Sequence, residues 1–179
     1  MNSVGNECLV SVDGTDFKIY EHKPFWKGWF SHKFRGPGVR YEVGLCIQTG
    51  WIVWIHGPFP CGAWPDLKIF RKALMGMLPI GEKVHADAGY KGESCIVIPS
   101  DDMSPAFARM AAMIRGRHET VNHRFKMFNI LHRVFRHDVD KHQPVFGAVA
   151  VITQLALQNG EPLYSVEYAE EEYNEYAED

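Results

Sequence analysis

Apolar and β-forming residues cluster on either side of a polar break in ECLVSVDGTDFKIY, residues 7–20, a β-rich stretch. Asp13-Gly14 in its middle predicts a turn, so this stretch reads as a strand followed by a second short strand. Residues 21–40, EHKPFWKGWFSHKFRGPGVR, follow as a loop dense in aromatic, basic, Gly and Pro residues. YEVGLCIQ and WIVWIHGPF then flank Thr49-Gly50 and predict a hairpin, which makes the first three strands an antiparallel meander.

From Pro65 the pattern changes to helical. Leu67, Phe70, Leu74 and Leu78 recur at steps of three and four behind a proline suited to a first helical turn. Two short strands follow, KVHAD and SCIVIP. A helix is expected from Pro105, interrupted or bent at Gly116 and resuming through HETVNHRFKMFNILHRVF, with Val121, Phe125, Phe128, Leu131 and Phe135 as its apolar face. The last helix, PVFGAVAVITQLAL, is apolar nearly all round and is expected to be buried. The order β-β-β-α-β-β-α-α is that of an α/β fold, a mixed sheet with helices packed on it.

Composition narrows the class without choosing the function. At 179 residues with 46% hydrophobic side chains, the chain can bury a core of its own as one domain. No run reaches the roughly 18 to 20 apolar residues of a membrane span, and Met1 to Val10 is too polar for a signal peptide, so a soluble intracellular protein is expected. Cys8, Cys46, Cys61 and Cys95 form no C-x-x-C pair and read as reduced core thiols. The net charge of -3 conceals segregation: eight of the 22 acids lie from Glu161 onward, where there is no Lys or Arg. Residues 1–160 therefore carry a net +5 ahead of an acidic tail, residues 161–179, expected to be disordered; a mildly basic body suits a polyanionic partner.

Three carboxylates carry the candidate chemistry. Asp13 ends the first predicted strand, Asp87 in VHADAGYKG ends the strand after the first helix, and Glu119 lies in a later helix. If the two strands are neighbours, both aspartates stand at one sheet edge, where a packed helix could bring Glu119. Convergent carboxylates are a hard-oxygen cage for Mg²⁺ or Mn²⁺, as in two-metal phosphoryl transfer. Each acid also has a plainer reading: Asp13-Gly14 and Asp87-Ala-Gly as turns, and Glu119 as an exposed partner of Arg115 and His123 on one helix face. Asp66 reads as a cap for the helix beginning near Pro65. His118 and His123 are five apart, which does not reproduce the four-residue spacing of the H-E-x-x-H zinc motif.

In order along the chain, VDGTDF, SHKFRGPGVRYEV, GPFPCGAWPDLKIFR, ADAGYKG, RHETVNHRFKMFNILHRVF and AVAVITQLALQNG resemble six blocks of the DDE-type transposase nuclease domain of the Harbinger-like superfamily, over about residues 7–160. The resemblance implies a ribonuclease-H-like fold and a DNA endonuclease that also performs strand transfer. It implies Asp13, Asp87 and Glu119 as catalytic residues holding two Mg²⁺ or Mn²⁺ ions, and 31 residues between Asp87 and Glu119 suit it. Implied partners are DNA, as transposon ends and target, and further copies of the chain. Lys33, Arg35, Arg117, Arg124 and Lys126 flank the site and are the candidate phosphate contacts. A nuclear location follows if the source is eukaryotic, a cytoplasmic one otherwise.

Two departures stand out. Relatives carry a DNA-binding region ahead of the nuclease domain, whereas twelve residues precede Asp13 here. A fragment, a nuclease relying on a separate DNA-binding protein, and a domesticated, catalytically idle DNA- or protein-binding module are the readings this leaves. The closing helix reads Leu-Gln-Asn in place of Leu-His-Asn. An unrelated metal hydrolase on a mixed sheet would leave the other blocks unexplained.

Overall fold

Strand β1, Cys8–Lys18, organises the sheet in the computed structural model, which describes residues 8–21, 23–100 and 103–166. On one side β1 pairs antiparallel with β3, Gly36–Cys46, in unbroken register from Val10↔Cys46 to Lys18↔Gly38. The hairpin about Thr49-Gly50 then lays β4, Ile52–Pro60, antiparallel to β3, and the two-residue β2, Phe30–Ser31, pairs with the start of β3. On its other side β1 pairs parallel with β5, Lys83–His85, which pairs parallel with β6, Ile96–Val97. The result is a six-stranded mixed sheet with an antiparallel first half.

Alternation along β1 and its neighbours sorts the core onto two faces. Phe17, Val39, Tyr41, Val43 and Leu45 face α2, Pro105–Met127, and α4, His142–Gln158, which contribute Val121, Phe125, Phe146 and Val149. Val12, Val84 and Ala86 face the other way, against Phe70 of α1, Asp66–Lys72, and against Leu74, Tyr90 and Ile96. Helix α2 starts cleanly: the Ser104 hydroxyl accepts from the Phe107 N–H at 3.3 Å and Pro105 occupies the first turn, where a proline costs no hydrogen bond.

Several expectations are corrected. Asp13-Gly14 is no turn, because both residues are held in the β1 ladder opposite Val43 and Glu42. Helix α2 passes through Gly116 without a break; that glycine makes room for Tyr164, whose hydroxyl would lie 2.4 Å from an added Cβ. The helix ends at Met127, followed by the single turn α3, Asn129–His132, so Phe135 reaches the core from an extended segment bridged in parallel to Ile19. Helix α4 buries one stripe only: Val151, Ile152 and Leu155 are exposed. Residues 161–166 pack on the body through Leu163 and Val166, while residues 167–179, most of the expected disordered tail, lie outside the described residues. Among the described residues no helix is long and apolar enough to cross a membrane, and all four cysteines are free.

A histidine is set into the larger core. His142 is fully buried, its Nδ1 lies 2.8 Å from the Tyr41 hydroxyl, and its ring contacts Phe17, Phe135 and Tyr41. Burial pulls its pKa from 6.5 to about 4. Between those values the unfolded chain binds more protons than the folded one, so this contribution to stability is complete above about pH 6.5 and is lost as the pH falls toward 4. His142→Phe is expected to flatten the decline of the urea midpoint between pH 7 and pH 4.5, while leaving the midpoint at neutral pH less affected than Phe146→Ala, for which a loss of about 3–5 kcal/mol is expected.

Candidate active site

The parallel register of β1 and β5 builds the site. Ser11 stands opposite His85, and both chains run the same way. Two residues further along, with the side-chain period of two, Asp13 and Asp87 therefore come to the same level on the same face. β5 ends at His85, which leaves this stretch of β1 without a strand on the side away from β3 and opens the space in which the two carboxylates stand.

Asp13 is held at both oxygens: Oδ1 accepts from the Gly14 N–H at 2.7 Å and Oδ2 from the Asn122 side-chain amide of α2 at 3.2 Å. Burial raises its pKa; Lys33 opposes this and the negative Asp87 adds to it. Asp87 caps the short 3-10 turn Ala88–Tyr90, its Oδ1 accepting from the Gly89 N–H at 2.9 Å. The turn reading of Asp87 is borne out, and the same geometry keeps its carboxylate at the cavity described below. Gly89 serves by its missing side chain: a Cβ there would sit 3.0 Å from an Asp87 oxygen and 3.3 Å from one of Asp66.

Both aspartates line a cavity of about 520 Å³, together with Ser11, His85, His118 and Lys33. Glu119 and Arg115 stand at the same cavity, but the Glu119 side chain is 74% exposed and turned to the Arg115 guanidinium at 4.0 Å. The ion-pair geometry expected of an exposed helix face is what the structure contains. Among the described residues no three His, Cys, Asp or Glu side chains stand close enough together to hold a metal ion, so the predicted three-acid cage is assembled only as far as Asp13 and Asp87.

The cavity floor holds residues to which the sequence reading gave no role at this site. His118 is buried, with Nε2 at 2.9 Å from the Ser11 hydroxyl, and His85 is buried with no hydrogen-bond partner at Nε2. Burial holds both imidazoles down to about 4, aided at His85 by His118. Asn122, which fixes Asp13, follows His118 by four residues on α2, and that spacing was the available signal for both.

Behind the sheet lies a second acidic layer. Asp16 accepts from the Ser31 hydroxyl at 2.6 Å and from Arg40 Nε at 2.7 Å. Burial pushes its carboxyl up, but the hydrogen bonds and charge of Arg40 outweigh this and hold it below the usual value. Arg40 also reaches Asp66 at 3.2 Å. Asp66 does not cap α1, whose flanking residue is Pro65 and which lacks a side-chain cap. Its carboxylate instead lies over Gly14, with its pKa raised by burial against the pull of Arg40 and Lys33. Glu42, fully buried, accepts from the Trp54 indole at 2.8 Å and is pushed up to about 7 by burial.

The five candidate phosphate contacts divide. Lys33 reaches the Gly14 carbonyl at 2.8 Å and faces the acids; Lys126 feels Lys33, Asp16 and Asp13, with its Nζ 5.9 Å from the Phe17 ring. Arg35 is exposed on the turn before β3, with a positive φ of 54°. Arg117 is corrected: it is buried, and its guanidinium donates to the carbonyls of Ile47 and Tyr164. Arg124 donates to the Glu161 carbonyl at 2.6 Å. Both clamp residues 161–164 onto α2 instead of presenting their charge to a ligand.

A family model described as DDE superfamily endonuclease matches residues 12–154, a span that includes Asp13, Asp87 and Glu119. The chain belongs to this family. No curated protein and no solved structure matches it. For a DDE superfamily endonuclease the mixed sheet with β5 and β6 parallel to β1 is the ribonuclease-H-like fold implied by the sequence blocks.

Gly14 tests how the two acidic layers are joined. A Cβ at Gly14 would lie 2.0 Å from Asp66 Oδ1, so Gly14→Ala forces this carboxylate off Arg40. A loss of about 1–3 kcal/mol in denaturant unfolding is expected. Adding Asp66→Gly removes the clash, so the double variant is expected to lose less than the sum of the single changes.

Proposed function

We propose that the chain is the nuclease domain of a DNA transposase, cutting a phosphodiester bond at Asp13 and Asp87 and joining the freed 3′ end to target DNA at the same site. The observation that supports this reading is the Asp13–Asp87 pair: two carboxylates of like charge, brought together by strand register, with Asp13 raised by burial and by its neighbour. Such a pair favours a cation between its oxygens.

The donor chemistry fits Mg²⁺ or Mn²⁺. Both groups offer hard oxygens on backbone-fixed side chains, and Mg²⁺ is commonly held by one or two carboxylates with substrate phosphate and water completing its shell. Bound there, divalent ions would supply Lewis-acid stabilisation of the charge that builds up on the phosphate during displacement. Asp13 would hold its position through Gly14 and Asn122, and Asp87 through Gly89, so that neither carboxylate reorganises when DNA arrives. Lys33, whose charge already opposes the acids, would face the phosphate oxygens. Glu119 stands at the cavity mouth; a side-chain rotation away from Arg115 would complete the acid set and release Arg115 toward DNA.

One observation favours the alternative of a domesticated, catalytically idle binding module: the exposed Glu119, paired with Arg115 and apart from the aspartates. Nicking of supercoiled plasmid separates the readings. The active reading expects cleavage that requires Mg²⁺ or Mn²⁺, is abolished by Asp87→Asn or Asp13→Asn, and falls strongly in Glu119→Gln. Metal-independent background in all four proteins favours the idle module. A second readout needs no catalysis: millimolar Mn²⁺ is expected to raise the melting temperature of the wild-type chain, and of Glu119→Gln to a smaller degree, but not that of Asp13→Asn.

A further inference from the structure

A second cavity, larger than the one at the acids, lies away from them. It encloses about 820 Å³ between the end of β1 and the segment after α3, and its lining includes Lys18, His132, Arg133, Arg136 and His137 with no acidic residue. Among the described residues none of Lys18, Arg133 and Arg136 has an ion pair with an acid; Lys18 Nζ lies 5.6 Å from the centre of the Phe34 ring. Asp138, the neighbouring acid, pairs with Lys141 at 3.3 Å. The cations are exposed, yet the segment carrying them is fixed. Phe135 between them is buried, its N–H donates to the Lys18 carbonyl at 2.9 Å, its carbonyl accepts from Tyr20 at 2.8 Å, and its ring meets His142 at 4.7 Å.

The groove is also placed with respect to the acids. The side of β1 away from β3 is occupied by β5 as far as Ser11 and by the Phe135 segment from Ile19 onward, and the stretch between them contains Asp13. Lys33 and Lys126 flank that stretch, so positive charge continues from the acids to the groove. Lys18 is five residues beyond Asp13, roughly 17 Å at strand rise and, at an odd step, with its side chain toward the other face of β1; that distance is the length of about five nucleotides along one strand of a duplex lying across this edge of the sheet.

We propose that this groove is a second DNA site, in which Lys18, Arg133 and Arg136 hold the phosphate backbone of duplex DNA about five nucleotides from the bond cut at Asp13 and Asp87. The choice of DNA as the polyanion rests on the nuclease reading. Contacts of these cations to phosphates would position the duplex without selecting its sequence.

The test is the affinity of the full chain for a fluorescein-labelled duplex of arbitrary sequence and about two helical turns, roughly 20 base pairs, across a salt series. Arg133→Glu with Arg136→Glu is expected to weaken binding at least about 10-fold at low salt, and to reduce the slope of log affinity against log salt by roughly 2, while Arg133→Gln with Arg136→Gln gives a smaller loss in the same direction. Melting temperature and its rise with Mn²⁺ are expected to stay as in the wild type, since neither arginine touches the core or the aspartates. Unchanged affinity and slope in the charge-reversed variant would overturn the groove, even if plasmid nicking persists. Binding of poly-glutamate as tight as that of DNA, with the same loss in the variants, would overturn DNA as the occupant. Groove-dependent DNA binding in a chain that never nicks plasmid would leave the groove standing and remove the nuclease.

Discussion

The parallel pairing of β5 with β1, in the register that sets Ser11 against His85, is the constraint on which the site depends. A slip of one residue would turn the Asp87 side chain to the opposite face and leave Asp13 alone. The same register governs the helix above. Two strand residues advance about 6.6 Å and four helical residues about 6 Å, so His118 and Asn122 of α2 can meet Ser11 and Asp13 in step. The strand ladder and the helix contact therefore fix Asp13 independently, and neither relies on a ligand.

Charge is divided between the two sides of β1. On the α1 side, Arg40 neutralises Asp16 and Asp66, and Glu42 is pushed to about 7 in an apolar setting with one indole hydrogen bond. On the α2 side, Asp13 and Asp87 face each other with Lys33 as the nearby cation. Two glycines keep the layers in contact: Gly14 lets the Asp66 carboxylate lie against the β1 backbone, and Gly89 sits between Asp66 and Asp87. The pair that lacks a neutralising arginine is the one at the open cavity, which is where an incoming cation or a phosphate with its metal would be felt most.

Much of this was legible in the sequence. The hairpin, the order of strands and helices, and the two aspartates followed from periodicity, turn residues and motif spacing. What failed did so for tertiary reasons. Asp13-Gly14 looks like a turn, but a ladder partner on β3 overrides local propensity, and the glycine is needed for a carboxylate 52 positions away, which no local pattern reveals. Gly116 looks like a break and is instead a passage for Tyr164. Arg117 looked like a phosphate contact because it flanks the predicted site in sequence, yet its guanidinium donates to the carbonyls of Ile47 and Tyr164. Nothing local marked Asn122 and His85 as partners of this site. Their importance comes from register, and register is visible only once the strands are paired.

The central claim is that Asp13 and Asp87 together form a cation site. Anomalous diffraction at the manganese edge from crystals equilibrated with Mn²⁺ tests it most directly. The account predicts an anomalous peak between the two carboxylates, within coordination distance of an oxygen of each. Saturating Mn²⁺ with no density there, or with the ion bound elsewhere while both aspartates keep their Gly14, Gly89 and Asn122 hydrogen bonds, would contradict it.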